Sequence, residues 1–105
     1  MTHHSAAAVV STSNASRYLQ QLCKHWSHKL AVEFTASDGR IVMPKEGRGE
    51  SFANDAIVSL KADEAALQVN VDASDARQLE LVKDAVATHL DRFAFREGPL
   101  AFAWR

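Results

Sequence analysis

The stretch QLCKHWSHK, residues 21–29, gathers one cysteine, two histidines, two lysines and a tryptophan within nine positions. Side chains of these types can ligate a metal, face an anion or form the wet side of an ordinary helix. Helical geometry separates the three. Cys23 and His25 stand two apart and so point in nearly opposite directions, which rules out a joint thiolate–imidazole site on this helix. His25 and His28 stand three apart and share a side. Tetrahedral zinc asks for three or four ligands, and no third one follows at finger-like spacing, so no metal site is expected. Arg17, Gln21, Lys24 and His28 fall at i, i+4, i+7 and i+11 and form one polar stripe, flanked by His25 and Lys29 and containing no acid. A solvated helix face usually mixes signs. The C-terminal end of the helix dipole accounts for Lys24, His28 and Lys29 but not for Arg17. The stripe therefore reads either as dipole complementation or as a surface for a phosphate, a carboxylate or an acidic partner.

A second group lies near the other end of the chain. His89 falls among Val82, Ala85, Val86 and Phe93, on the apolar side of a helical pattern. There it is either a core histidine bonded to backbone or carboxylate, or a group lining a groove shared with His25 and His28. The segment DRFAFRE, residues 91–97, sets two aromatics between Arg92 and Arg96. It could stack on a planar ligand or pin the helix end to the core, with Arg96 and Glu97 in water. Gly47-Arg48-Gly49 could bend amides toward an anion, a weak signal without a phosphate-loop pattern. There is no GxGxxG, GxSxG or HExxH.

The elements that position these residues are legible in the patterning. Residues 6–11 read as a first strand after a disordered start, residues 1–5. SNAS at 13–16 supplies N-cap types for a helix running to about Lys29. Its apolar arc of about 140° holds Ala15, Tyr18, Leu19, Leu22, Cys23, Trp26 and Leu30. LAVEFTA alternates at period two, SDG turns the chain, and RIVM returns. PKEGRGE, residues 44–50, reads as a polar loop. AIVSLKA and LQVNVD flank ADEAA as a second hairpin. Ser74 or Asp75 can cap a second helix, with Gln78 three residues after Asp75. Leu79, Val82, Val86, Leu90 and Phe93 mark its inner face before the Gly98-Pro99 stop. LAFAW, residues 100–104, reads as a closing strand.

The order strand, helix, strands, helix, strand predicts an α+β domain over residues 6–105, with a mostly antiparallel sheet wet on one side and two helices packed on the other. The chain has 105 residues, 47% hydrophobic and 24% charged, and a formal net charge of −1. Such a balance gives no bulk field to recruit nucleic acid or membrane. One cysteine forbids an internal disulfide and fits a reducing compartment. With no membrane-length apolar run and no basic leader, the expected location is cytoplasmic.

RYLQQLCKHWSHK at 17–29 and HLDRFAFRE at 89–97 resemble the signatures of a small bacterial family, domain of unknown function 2218, and the resemblance extends over nearly the whole chain. Family members often carry Phe in place of Trp26, and the PKEGRGE loop is longer here. The resemblance implies no established activity. An association of some relatives with siderophore-interacting flavin reductases implies a part in iron handling. The motif positions include Arg17, Gln21, Lys24, His25, His28, His89, Arg92 and Arg96, to which the family assigns no roles. The expectation is a non-enzymatic binding domain in which these residues border a groove for a small anionic ligand or iron chelate, with no cofactor specified. The alternative is a protein-interaction module, a homodimer formed through an edge strand. Least supported is an enzyme using His89 or His25 as acid/base, for which no partner acid or nucleophile is placed.

Overall fold

Strands with alternating apolar residues need a partner layer on one side only, and here two helices supply it. The computed structural model describes residues 4–47 and 49–105. Arg48, and with it the centre of the Gly47-Arg48-Gly49 stretch, lies outside the described residues. The elements run β1 (His4–Ser11), α1 (Ala15–Trp26), β2 (Ala31–Phe34), β3 (Asp38–Met43), β4 (Glu46–Gly47), β5 (Glu50–Ser51), β6 (Ala56–Ala62), β7 (Ala66–Ala73) and α2 (Ala76–Phe93). Five strands form one antiparallel sheet in the order β1-β7-β6-β3-β2, and β4 pairs with β5 as a small separate hairpin. Thus β2, β3, β6 and β7 form a meander in chain order, and β1 closes onto β7, far away in sequence.

Register explains the two faces. Ala8 stands opposite Val69, Val69 opposite Leu60, Val58 opposite Val71, and Ile41 opposite Val58. All of these are buried, and all but Ala8 share one core with Leu19, Leu22, Trp26, Val86 and Leu90 from the helices. α1 lies over β2, β3 and β6, α2 over β7 and β1, and the two helices touch each other. The predicted α+β arrangement is the observed one: one sheet, both helices on its dry side. On the wet side, Glu33 stands opposite Arg40 and Asp38 opposite Lys61. Opposite charges directly across a ladder are mildly stabilising.

At Gly39 helix and sheet approach closely. A Cβ placed there would lie 2.9 Å from Cys23 Sγ and 3.4 Å from Leu19 Cδ2, so the bare backbone lets α1 settle on β3. Overpacking a filled core costs about 1–3 kcal/mol. Gly39→Ala should lose that much in urea unfolding. The loss should shrink when Cys23→Ala is combined with it, because the nearest clashing atom is gone. Equal losses in both backgrounds would show that the sulfur is not what limits the approach.

Local chemistry sets the helix ends. Asp75, in extended conformation, accepts from the Gln78 amide at 2.7 Å, the expected cap. Gln78 is itself buried: its Oε1 accepts from the Ser74 amide and hydroxyl, and its Nε2 donates to the Asn54 carbonyl at 2.8 Å. α1 differs from expectation at both ends. Asn14 makes no side-chain cap; instead its amide donates to Thr12 Oγ1 at 3.0 Å. The helix ends at Trp26 rather than near Lys29. The Leu30 amide returns to the Trp26 carbonyl at 2.8 Å through a turn that feeds β2.

Three further expectations are corrected. The first strand begins at His4, so Ser5 and His4 are paired with Asp72 and Ala73 instead of frayed. The loop at 44–50 contains the β4–β5 hairpin, with Gly49 in the left-handed region at φ 79°. The closing strand at 100–104 is an extended tail without a ladder. Its alternation survives, since Leu100, Phe102 and Trp104 pack partly buried against the core. Its backbone, however, is tied at single points. Leu100 N–H donates to Asp91 at 2.9 Å, and only Arg105 exchanges two hydrogen bonds with Ala7 of β1. Its aromatic side chains pack toward α2, with Lys83 Nζ 5.5 Å from the Trp104 ring centre.

Candidate functional site

The stripe and the histidines are brought together at the seam between α1 and α2. Trp26 is buried on the sheet side of α1, while His25, one residue before it, is exposed at the seam. His89 projects half-buried from α2 onto the same line. The ring centres of His25 and His89 are 5.2 Å apart, with the planes inclined 47°. Trp26 lies 5.0 Å from His89, and Phe93 meets His25 edge-on at 6.1 Å. The two imidazoles therefore converge, which neither helix pattern alone could fix. His89 Nδ1 is 2.7 Å from the Ala85 carbonyl. A carbonyl only accepts, so Nδ1 carries the proton and Nε2 keeps its lone pair when the ring is neutral.

Other candidate residues are placed around this pair. Arg17 and Lys24 are exposed on α1 and His28 in the turn after it, and among the described residues none of them is ion-paired. Gln21, half-buried, has a buried Oε1 with no donor in reach. Arg92 and Arg96 are exposed on and beyond the last turn of α2. Arg96 lies over the Phe95 ring, 5.5 Å from its centre. Phe95 is 71% exposed, as its position off the apolar arc implied. The seam is a surface line filled by rings in tilted and edge-on contact. A hollow lies across the sheet, lined by Glu33, Arg40, Ser59, Lys61, Gln68 and Asn70 among others. It is the trough of a twisted sheet, its charges matched pairwise by register, and it contains none of the candidate residues.

Cys23 takes no part. It is buried against Gly39 on the sheet side of α1, and burial pushes its thiol up to about 11. At neutral pH it is a thiol, neither a nucleophile nor a metal ligand. No group of three or more His, Cys, Asp or Glu residues close enough to hold a metal ion is present among the described residues.

Glu97 was expected in water and is exposed, but it is not a free carboxylate. It accepts from Thr12 Oγ1 at 3.0 and 3.1 Å, from Asn14 Nδ2 at 3.3 Å and from the Tyr18 hydroxyl. It thereby clasps the segment after α2 to the start of α1 and fixes the seam at one end. Polar types at 12–14 and a tyrosine on the α1 arc were visible in the sequence, but nothing local pointed them at residue 97.

The family model described as "Uncharacterized protein conserved in bacteria (DUF2218)" matches residues 7–105. This chain belongs to DUF2218. The match spans both α1 and the His89–Glu97 segment. A solved structure, the NMR structure of PA4090 from Pseudomonas aeruginosa, is similar to the DUF2218 chain at 31% identity. That similarity covers 96% of this chain and 94% of the other, with a TM-score of 0.73. No curated protein matches. In this DUF2218 domain no described helix is long and apolar enough to cross a membrane.

Proposed function

We propose that this domain binds a small anionic ligand, with an iron chelate as the physiological case, on the α1 side of the helix seam. One observation carries the reading: the His25–His89 pair lies beside a stripe of exposed cations with no carboxylate in it. A ligand carboxylate or phosphate would meet Arg17 and Lys24 as charge-assisted donors, while the imidazoles and Phe93 supply flat surface. Iron handling, implied by the family resemblance, suits such a site, because siderophore and citrate chelates are multiply charged and partly planar. His89 donates to a backbone carbonyl rather than a carboxylate, which leaves a catalytic base without an orienting acid and favours binding over catalysis.

Calorimetric titration with phosphate, citrate, a ferric siderophore and haem tests the reading. At least one should bind, and Arg17→Ala/Lys24→Ala should weaken it by about tenfold or more, about 1.4 kcal/mol. No heat from any of them, with an unchanged melting temperature, would sink it. A second reading, self-association through an edge strand, is favoured by β2, whose outer side lacks a neighbour in the sheet. The aromatic tail, without a ladder, does not supply that edge.

A further inference from the structure

We infer that His25 and His89 form a two-imidazole site for a borderline divalent cation of the Zn²⁺ or Co²⁺ class, its other positions open to solvent or ligand. The inference rests on the same seam as the proposed function and deepens it, since a cation held there would itself attract an anionic ligand. The spacing is the first argument. With metal–nitrogen bonds of about 2.0–2.1 Å and a tetrahedral angle, the centres of two imidazoles sharing one ion lie about 5 Å apart. The rings here are 5.2 Å apart before any ion is added. Aromatic packing alone tolerates about 4.5–7 Å, so spacing needs support from other features.

Tautomer and surroundings supply it. Ligating histidines typically donate the other ring N–H to a carbonyl or carboxylate, which fixes the ring and leaves a lone pair for the ion. His89 already makes that bond, to Ala85 at 2.7 Å. Trp26 and Phe93 wall the pair, which strengthens electrostatic attraction locally. His25 is exposed, so an ion has a path in. The buried Gln21 Oε1, one turn before His25 on the same side and without a donor, is suited to accept from a metal-bound water. No carboxylate closes the site, so it differs from a structural zinc centre, which is filled by protein ligands.

The test uses the whole chain with His3→Ala and His4→Ala, which remove competing imidazoles from its start. Zn²⁺ is titrated calorimetrically, and Co²⁺ is followed by visible absorption and by quenching of Trp26 fluorescence. One ion per chain should bind, about tenfold or more weakly in His25→Ala and in His89→Ala, and unchanged in His28→Ala. His25 is exposed, so its variant keeps the fold even where His89→Ala does not. In nitrogen-15 spectra zinc should shift His89 Nε2 and leave Nδ1 protonated. Zinc affinity unaffected by His25→Ala, or no binding at millimolar zinc, overturns the inference. Repeating the phosphate and citrate titrations in chelator separates the two ideas. Anion binding without metal binding would leave only the proposed function, and metal binding without any anion would leave only this site.

Discussion

Glu97→Ala should lower the unfolding free energy by about 2–4 kcal/mol, since hydrogen bonds to a charged group contribute about 1.5–3 kcal/mol each and their partners are left unsatisfied. The carboxylate collects donors from Thr12, Asn14 and Tyr18. Thr12 and Tyr18 are buried, at 6% and 4% exposure, so water cannot readily replace the lost acceptor. Asn14 and Glu97 itself are more open, which keeps the loss below the sum of the bonds. Glu97→Gln retains the shape and one acceptor oxygen and should lose less than alanine. Urea unfolding followed by tryptophan fluorescence measures both variants. A loss below about 0.5 kcal/mol for alanine, the range of ordinary surface substitutions, would mean that the clasp is replaced by solvent without cost.

Gln78→Ala should cost a similar amount, about 2–4 kcal/mol, by a different route. Gln78 is 2% exposed, and its amide group satisfies both the Ser74 amide and the Asn54 carbonyl. Removing it orphans two part-buried backbone groups, at the lower end of about 1–3 kcal/mol each, and leaves a small void. Because Asn54 precedes β6, the variant should also loosen the loop ahead of that strand. Amide exchange should quicken at Ser74, which loses its acceptor, while β3 amides change little. Gln78→Glu is the sharper case: it keeps an acceptor for Ser74 but turns a negative oxygen toward the Asn54 carbonyl, and should be at least as destabilising at neutral pH. If Gln78→Leu proves as stable as the parent, the polar hub is dispensable and volume alone matters.

What the sequence disclosed follows a physical division. Period-two alternation in residues 30–36 and 67–72 determined which side chains face the core, because a one-residue slip would bury Glu33 or Gln68. The Asp75–Gln78 cap was legible because its parts are three residues apart. Features that depend on partners distant in sequence were not. Glu97 reads as a surface acid until Thr12 and Tyr18 are brought to it. Residues 100–104 show the right alternation, but a ladder needs a backbone partner along its length, and the tail meets one only at Ala7. The candidate site stands between these cases. Helical wheels put His89 on the apolar side of its helix and His25 at the edge of the other's polar stripe, and whether they meet depends on how each helix seats on the sheet, which for α1 depends on Gly39. Arg92 and Arg96, adjacent to His89 in sequence, stay at the outer edge.

The pairing of β1 with β7 alone has a consequence for synthesis on the ribosome. Ala8 finds Val69 only after roughly sixty further residues have emerged, several seconds at about 5–20 residues per second. During that wait an Ala- and Val-rich segment has no ladder to join, while β2 and β3 can already pair. β1 is therefore made well before the strand it pairs with, and in the interval it is open to capture by a chaperone or by another nascent chain.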